Sequence, residues 1–149
     1  MKNMQVIFEE LSIGTDHRLQ FIDIGAAIQQ AVHKSGVRQG MVSVQGLHTT
    51  TAITINENES RLMQDIEKFV ERIAPSDAHY LHNDIHLRDC PPDEPENAHA
   101  HLLAMMFGNS ESLAVTNGKI VLGKWQSIFL VELDGPRRRS VAVQILGSQ

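Results

Sequence analysis

The stretch from Leu113 to Ile145 constrains this chain more than any other, because it reads as strand and turn with no helical periodicity. Leu113-Ala114-Val115-Thr116 leads into Asn117-Gly118 and then Ile120-Val121-Leu122. Asn-Gly accepts the positive φ angles of a type I′ turn, so the segment predicts a β-hairpin. Ile128 to Leu133 and Val141 to Ile145 continue the strand pattern on either side of the turn Asp134-Gly135-Pro136. The remaining elements therefore have to be arranged around an antiparallel sheet system.

Toward the N-terminus, Gln5 to Phe8 and Leu19 to Ile22 read as two strands on either side of Gly14-Thr15-Asp16, able to join one sheet. Ile24, Ala27, Ile28, Ala31 and Val32 then fall at helical spacing, with Asp23 as N-cap, Gly36 as the stop, and His33 and Lys34 near the negative end of the helix dipole. Val42 to Gly46 and Thr51 to Ile55 alternate as two further strands, and His48 lies in their connection. A second helix is predicted from the stripe Leu62, Met63, Ile66, Phe69, Val70 and Ile73, capped by Asn56-Glu57-Asn58-Glu59 and ended near Pro75. From Pro75 to Asn97 periodicity is lost and the acidic, proline-rich run Asp89 to Glu96 appears; so long a loop is usually functional or mobile. A third helix is expected from Ala98 to Phe107, stopped by Gly108. The order ββαββα(α)βββ gives an α+β fold, a mainly antiparallel sandwich with helices packed to one side, in one domain spanning residues 1–149.

Composition excludes several functions. A net charge of −5 argues against a nucleic-acid partner. No apolar run is long enough to span a bilayer, and MKNMQVIFEE contains no signal-peptide core, so a cytoplasmic, membrane-free protein is expected. The single cysteine, Cys90, cannot form an internal disulfide, and Asp89 and Asp93 nearby would raise its pKa; it is read as incidental. No organic cofactor motif is evident.

Eight histidines remain to be explained. Imidazole both binds transition metals and moves protons near neutral pH, which directs attention to His48, His82 and His101. Three neutral imidazoles favour zinc or a similar borderline divalent ion over magnesium. The same side chains can instead hold a phosphate directly. His99 is a weaker candidate, since it diverges from His101 on a helix.

His48-Thr49-Thr50, Asn56-Glu57-Asn58, Asp65, Tyr80 with His82, His101, Gly108, Gly118, Gly123 with Trp125-Gln126, and Pro136-Arg137 with Arg139 together resemble the signature of the YjbQ family. The resemblance runs from about Gly46 to Gly147, with Thr51 departing from the family's usual Ala. It implies a compact α+β sandwich that forms a homotrimer, a clustered histidine site, and a weak thiamine-phosphate synthase activity on phosphorylated substrates. That reaction displaces pyrophosphate from a pyrimidine-methyl carbon by a thiazole ring nitrogen, and needs a cation to hold the leaving group.

The expected site therefore comprises His48, His82 and His101 as metal ligands or acid-base groups, with Glu57 or Asp65 orienting a histidine and Thr49, Thr50, Arg137 and Arg139 on phosphate. Each has a plainer role: a turn for His48, a solvated ring for His82, a first-turn helix position for His101, a cap for Glu57, and ion pairing for the arginines. Trp125 reads as packing. Two function classes stand: an enzyme on a phosphorylated small molecule, and a non-catalytic metal-binding or trimeric assembly protein with structural histidines.

Overall fold

Strand alternation sorts the chain into layers. The computed structural model describes residues 3–149. Its elements are β1 (Gln5–Gly14), β2 (Gln20–Asp23), α1 (Gly25–Ser35), β3 (Gln39–Gly46), β4 (Thr51–Asn56), α2 (Ser60–Ile73), α3 (Ala98–Phe107), β5 (Ser110–Thr116), β6 (Lys119–Ile120), β7 (Ser127–Glu132) and β8 (Arg138–Ser148). Two single-turn 3-10 helices, Leu81–Asn83 and Ile85–Leu87, lie in the long loop.

All strand pairs are antiparallel, in a five-stranded sheet of order β1-β8-β3-β5-β6 and a three-stranded sheet of order β2-β7-β4. The inward faces of both sheets and α1 enclose one core, containing Val42, Val44, Val143 and Ile145 from the large sheet, Ile53, Ile128 and Leu130 from the small one, and Ile28 and Val32 from α1. The small sheet's other face meets α2 and α3 through Ala52, Phe129, Val131, Val70, Ala100 and Leu103. Strand β7 is thus covered on both sides, and its run Ile128 to Glu132 is buried throughout.

Several sequence expectations need correction. β1 and β2, read from the sequence as able to join one sheet, do not share one; β3 and β4, and β7 and β8, for which the sequence assigns no shared sheet, also lie in different sheets, so each of these connections crosses between sheets. The buried Thr15, tied to Arg137 through both its backbone and its hydroxyl, makes the first of these turns a crossing. Helices are not confined to one side: α1 packs inside the large sheet, whereas α2 and α3 cover the small one.

Other expectations are met. Asn117 and Gly118 have φ of 54° and 74°, as the hairpin requires, although β6 is only two residues long. Gly36 takes φ 71° at the end of α1. Glu59 accepts from Arg61 and Leu62 at the start of α2, as expected of its acidic cap; the N-cap of α1, however, is Ile24 and not Asp23, which accepts the Gly25 N–H (2.9 Å) from one residue earlier.

Candidate functional site

Strand ends and a helix N-terminus converge on a cleft of about 770 Å³. The β3–β4 connection contributes Leu47, His48, Thr49 and Thr50; the end of the acidic loop contributes Glu94, Pro95 and Asn97; α3 contributes His101; and the β7–β8 connection contributes Asp134, Arg137, Arg138 and Arg139.

Under this cleft lies a buried ion pair. Arg139, 4% exposed, donates from Nε to Glu132 Oε2 (2.8 Å) and from Nη2 to Glu132 Oε1 (2.6 Å) and Thr50 Oγ1 (2.9 Å). Glu132 also accepts from Thr15 Oγ1 and the Asp134 N–H. Its pKa is lowered: burial opposes ionisation, but the Arg139 hydrogen bonds and the other donors prevail. The pair therefore sets the geometry of Thr50 and Asp134 and leaves Arg139 committed within the protein. Arg137 is exposed, pairs with Asp134 (2.9 Å) and donates to its carbonyl. Asn97 Nδ2 donates to the same oxygen, Asp134 Oδ2 (2.7 Å), rather than capping α3; Asn83 Oδ1 performs that function by accepting from the Ala98 N–H (3.1 Å).

His48 Nε2 accepts the backbone N–H of Ser140 (2.9 Å), so its proton sits on Nδ1. Burial, then the Arg139 charge, lowers its pKa and keeps the ring neutral. The ring of His82 stands edge-on to that of His101, with centroids 4.8 Å apart. Burial, followed by the His82 ring, lowers the pKa of His101. His82 is carried by the turn Leu81–Asn83 and does not line the cleft.

These positions test the expected metal. His48 has its unprotonated nitrogen engaged by Ser140, so it offers no lone pair to an ion while that bond is kept. Among the described residues no three His, Cys, Asp or Glu side chains are grouped to hold a metal. The three-histidine ligand set does not fit this arrangement: His82 and His101 are ring neighbours, while His48 shares the cleft lining with His101 but not with His82.

The carboxylates are not brought in either. Strand β4 separates Thr50 from Glu57 by six residues, roughly 20 Å at about 3.3 Å per residue. Asp65 is exposed on α2 beside Arg61, Gln64 and Lys68. The acidic groups at the cleft are Asp134 and Glu94, which sequence reasoning missed as site residues, along with Asn97; Arg138 joins them from the basic run Arg137-Arg138-Arg139, which the sequence offers as a phosphate grip. Strand parity carries a signal for one of these: Arg139 shares a face with Val141, Val143 and Ile145, which predicts burial, while Arg138 points the other way. His99 is 4% exposed; Arg18 Nη1 lies 3.2 Å from its Nε2, and its Nδ1 is buried with no partner.

Comparison with known proteins agrees with the fold. Residues 9–148 match the profile described as UPF0047 protein YjbQ-like. A UPF0047 protein of Methanothermobacter thermautotrophicus is 44% identical over 97% of this chain and 94% of that protein. YugU of Bacillus subtilis, also a UPF0047 protein, is 31% identical over 95% of this chain and all of its own length. The crystal structure of a YbjQ-like protein of unknown function from Sulfolobus solfataricus superposes with a TM-score of 0.87 at 38% identity, covering 98% of this chain and 100% of that one.

Proposed function

The chain belongs to the YjbQ-like UPF0047 family, and from that premise we propose that it acts on a phosphorylated small molecule held in the cleft by His48, Thr49, Thr50, Arg137 and Arg138. One observation carries this reading. Hydroxyls, an imidazole N–H and two guanidinium groups from the β3–β4 and β7–β8 connections reach a single opening large enough for a metabolite.

The activity we assign is thiamine-phosphate synthase-type transfer. The thiazole ring nitrogen attacks the pyrimidine-methyl carbon, a C–N bond forms as the C–O bond to pyrophosphate breaks, and the electron pair leaves with the pyrophosphate. No proton transfer is required. What the site must supply is stabilisation of charge on the departing oxygens. Arg137 and Arg138 provide permanent positive charge there, His48 Nδ1–H and the Thr49 and Thr50 hydroxyls provide hydrogen bonds, and His101 borders the same space. Arg139 and Glu132 act beneath them as positioning residues. A cytoplasmic location is part of this proposal.

The test is formation of thiamine phosphate from the two phosphorylated precursors, alongside calorimetric titration with pyrophosphate. His101→Ala should reduce turnover at least about tenfold with the fold retained. Absence of both product and pyrophosphate binding overturns the reading. The second reading, a non-catalytic metal-binding or assembly protein, is supported by the adjacency of His82 and His101. Elemental analysis of untagged protein separates the two: stoichiometric zinc lost in His101→Ala, with a lower Tm and no turnover to lose, favours the second.

A further inference from the structure

A smaller cavity of about 300 Å³ shares His48, Thr49 and His101 with the cleft. Its remaining lining is Thr51, Ala104, Met105 and Asn109, with no carboxylate, guanidinium or ammonium group. The charged cleft and this neutral compartment are thus adjacent, with two histidines and one threonine common to both linings.

Two features indicate that the compartment is equipped to bind. Thr51 is 1% exposed, and its Oγ1 is buried without a hydrogen-bond partner. A buried hydroxyl left unpaired is unfavourable, and an occupant supplying a donor or acceptor would relieve it. Asn109 donates from Nδ2 to the Gly46 carbonyl (2.8 Å), which leaves its Oδ1 open as an acceptor. Glycine at position 46 makes room for both oxygens: a Cβ there would lie 2.6 Å from Asn109 Oδ1 and 3.1 Å from Thr51 Oγ1.

We propose that this compartment is a subsite for the neutral end of the ligand: a compact ring carrying an N–H or O–H donor, attached to the anionic group that the cleft receives. The inference rests on the anion reading of the cleft. The volume suits a single ring, Ala104 and Met105 offer apolar contact, and the unpaired oxygens of Thr51 and Asn109 favour a ring that donates a hydrogen bond. An inorganic anion would fill only half of the site. Discrimination between phosphorylated compounds would then come from the neutral compartment, because guanidinium and hydroxyl groups hold any phosphate alike.

Three probes test this by NMR titration of the full chain: inorganic phosphate, 4-aminophenyl phosphate and aniline. The expected result is that 4-aminophenyl phosphate binds at least about tenfold more tightly than inorganic phosphate, a difference near 1.4 kcal/mol. Thr51→Val, which keeps side-chain shape and removes the hydroxyl, should erase most of that advantage while leaving phosphate affinity unchanged. Gly46→Ala should do the same by crowding the two oxygens, so the proposal does not depend on one variant folding. Equal affinity for phosphate and 4-aminophenyl phosphate in the unaltered protein overturns the subsite while sparing the cleft reading. Aniline perturbing Ala104 and Asn109, with neither phosphate compound binding, upholds the compartment and overturns the cleft reading. No response to any probe overturns both.

Discussion

Taking the Glu132–Arg139 pair out of water is costly, and two parallel hydrogen bonds with Thr15 and Thr50 as further partners offset that penalty. Arg139→Met removes one partner and leaves a carboxylate buried without compensation. Urea denaturation should show a loss of about 3–5 kcal/mol, much of it recovered in the double variant Glu132→Gln/Arg139→Met. Because the folded pKa of Glu132 is lowered, its contribution is present above the ordinary carboxylate value and is lost as pH falls through the folded one. The histidines add a second window at higher pH. His48, His99 and His101 all have pKa values lowered from 6.5, principally by burial, so the unfolded chain takes up protons before the folded one. Stability should be fully present above about pH 6.5 and decline below it, with a slope of at most about 1.4 kcal/mol per pH unit for each histidine. His99→Gln should flatten that slope in thermal melts between pH 5 and 7; an unchanged slope would remove His99 from the account. Residue type alone directs attention to Arg139 as a phosphate ligand, whereas its parity with Val141 and Val143 points inward. Glu57 and Asp65 show the opposite limit, since nothing in a list of acidic residues reveals that β4 holds one of them far from His48.

At the level of elements, boundaries set by backbone chemistry are legible and sheet membership is not. The hairpin at Asn117-Gly118 and the stop at Gly36 follow from φ preferences that a short sequence states directly. By contrast, alternation says which residues share a face without saying which sheet the strand enters, so β1 with β2 and β3 with β4 look like hairpins until their partners are known. Capping shows the same division. Glu59 caps α2 locally, whereas α3 takes its cap from Asn83, fifteen residues earlier in the long loop. That bond ties the loop to the helix that carries His101, and it gives the otherwise aperiodic segment a positional role. Asn83→Ala should therefore lower stability by about 1 kcal/mol and weaken pyrophosphate binding as well. Calorimetry of both quantities on one preparation checks this; a stability loss with unchanged binding would show that α3 does not need the loop to present His101.

For the whole molecule, the distribution of apolar surface bears on assembly. The outward face of the five-stranded sheet presents Met4 just before β1, Val6 and Phe8 on alternate positions of β1, and Met41 on β3 beyond the intervening β8, the first three at 72%, 63% and 61% exposure. The stripe of α2 buries Val70 fully but leaves Phe69 and Ile73 exposed, and α3 presents Leu102, Met105 and Met106 outward. Contiguous apolar surface of this kind on a small chain marks contact sites. A twofold dimer needs one self-complementary patch, whereas a ring is built from two different patches on every copy. Several separate patches on one chain therefore support a homotrimer, which we propose as the assembled state. Light scattering at micromolar concentration should return three times 16.6 kDa, about 50 kDa. Phe8→Glu places a charge on the outward side of the edge strand β1, away from the core and outside the lining of the cleft. If that face is an interface, the variant should shift toward 16.6 kDa while keeping its circular dichroism spectrum. A monomer in the unaltered protein would overturn the trimer, and an intact trimer in Phe8→Glu would move the interface to α2 or α3, where Phe69→Glu and Met106→Glu are the corresponding tests.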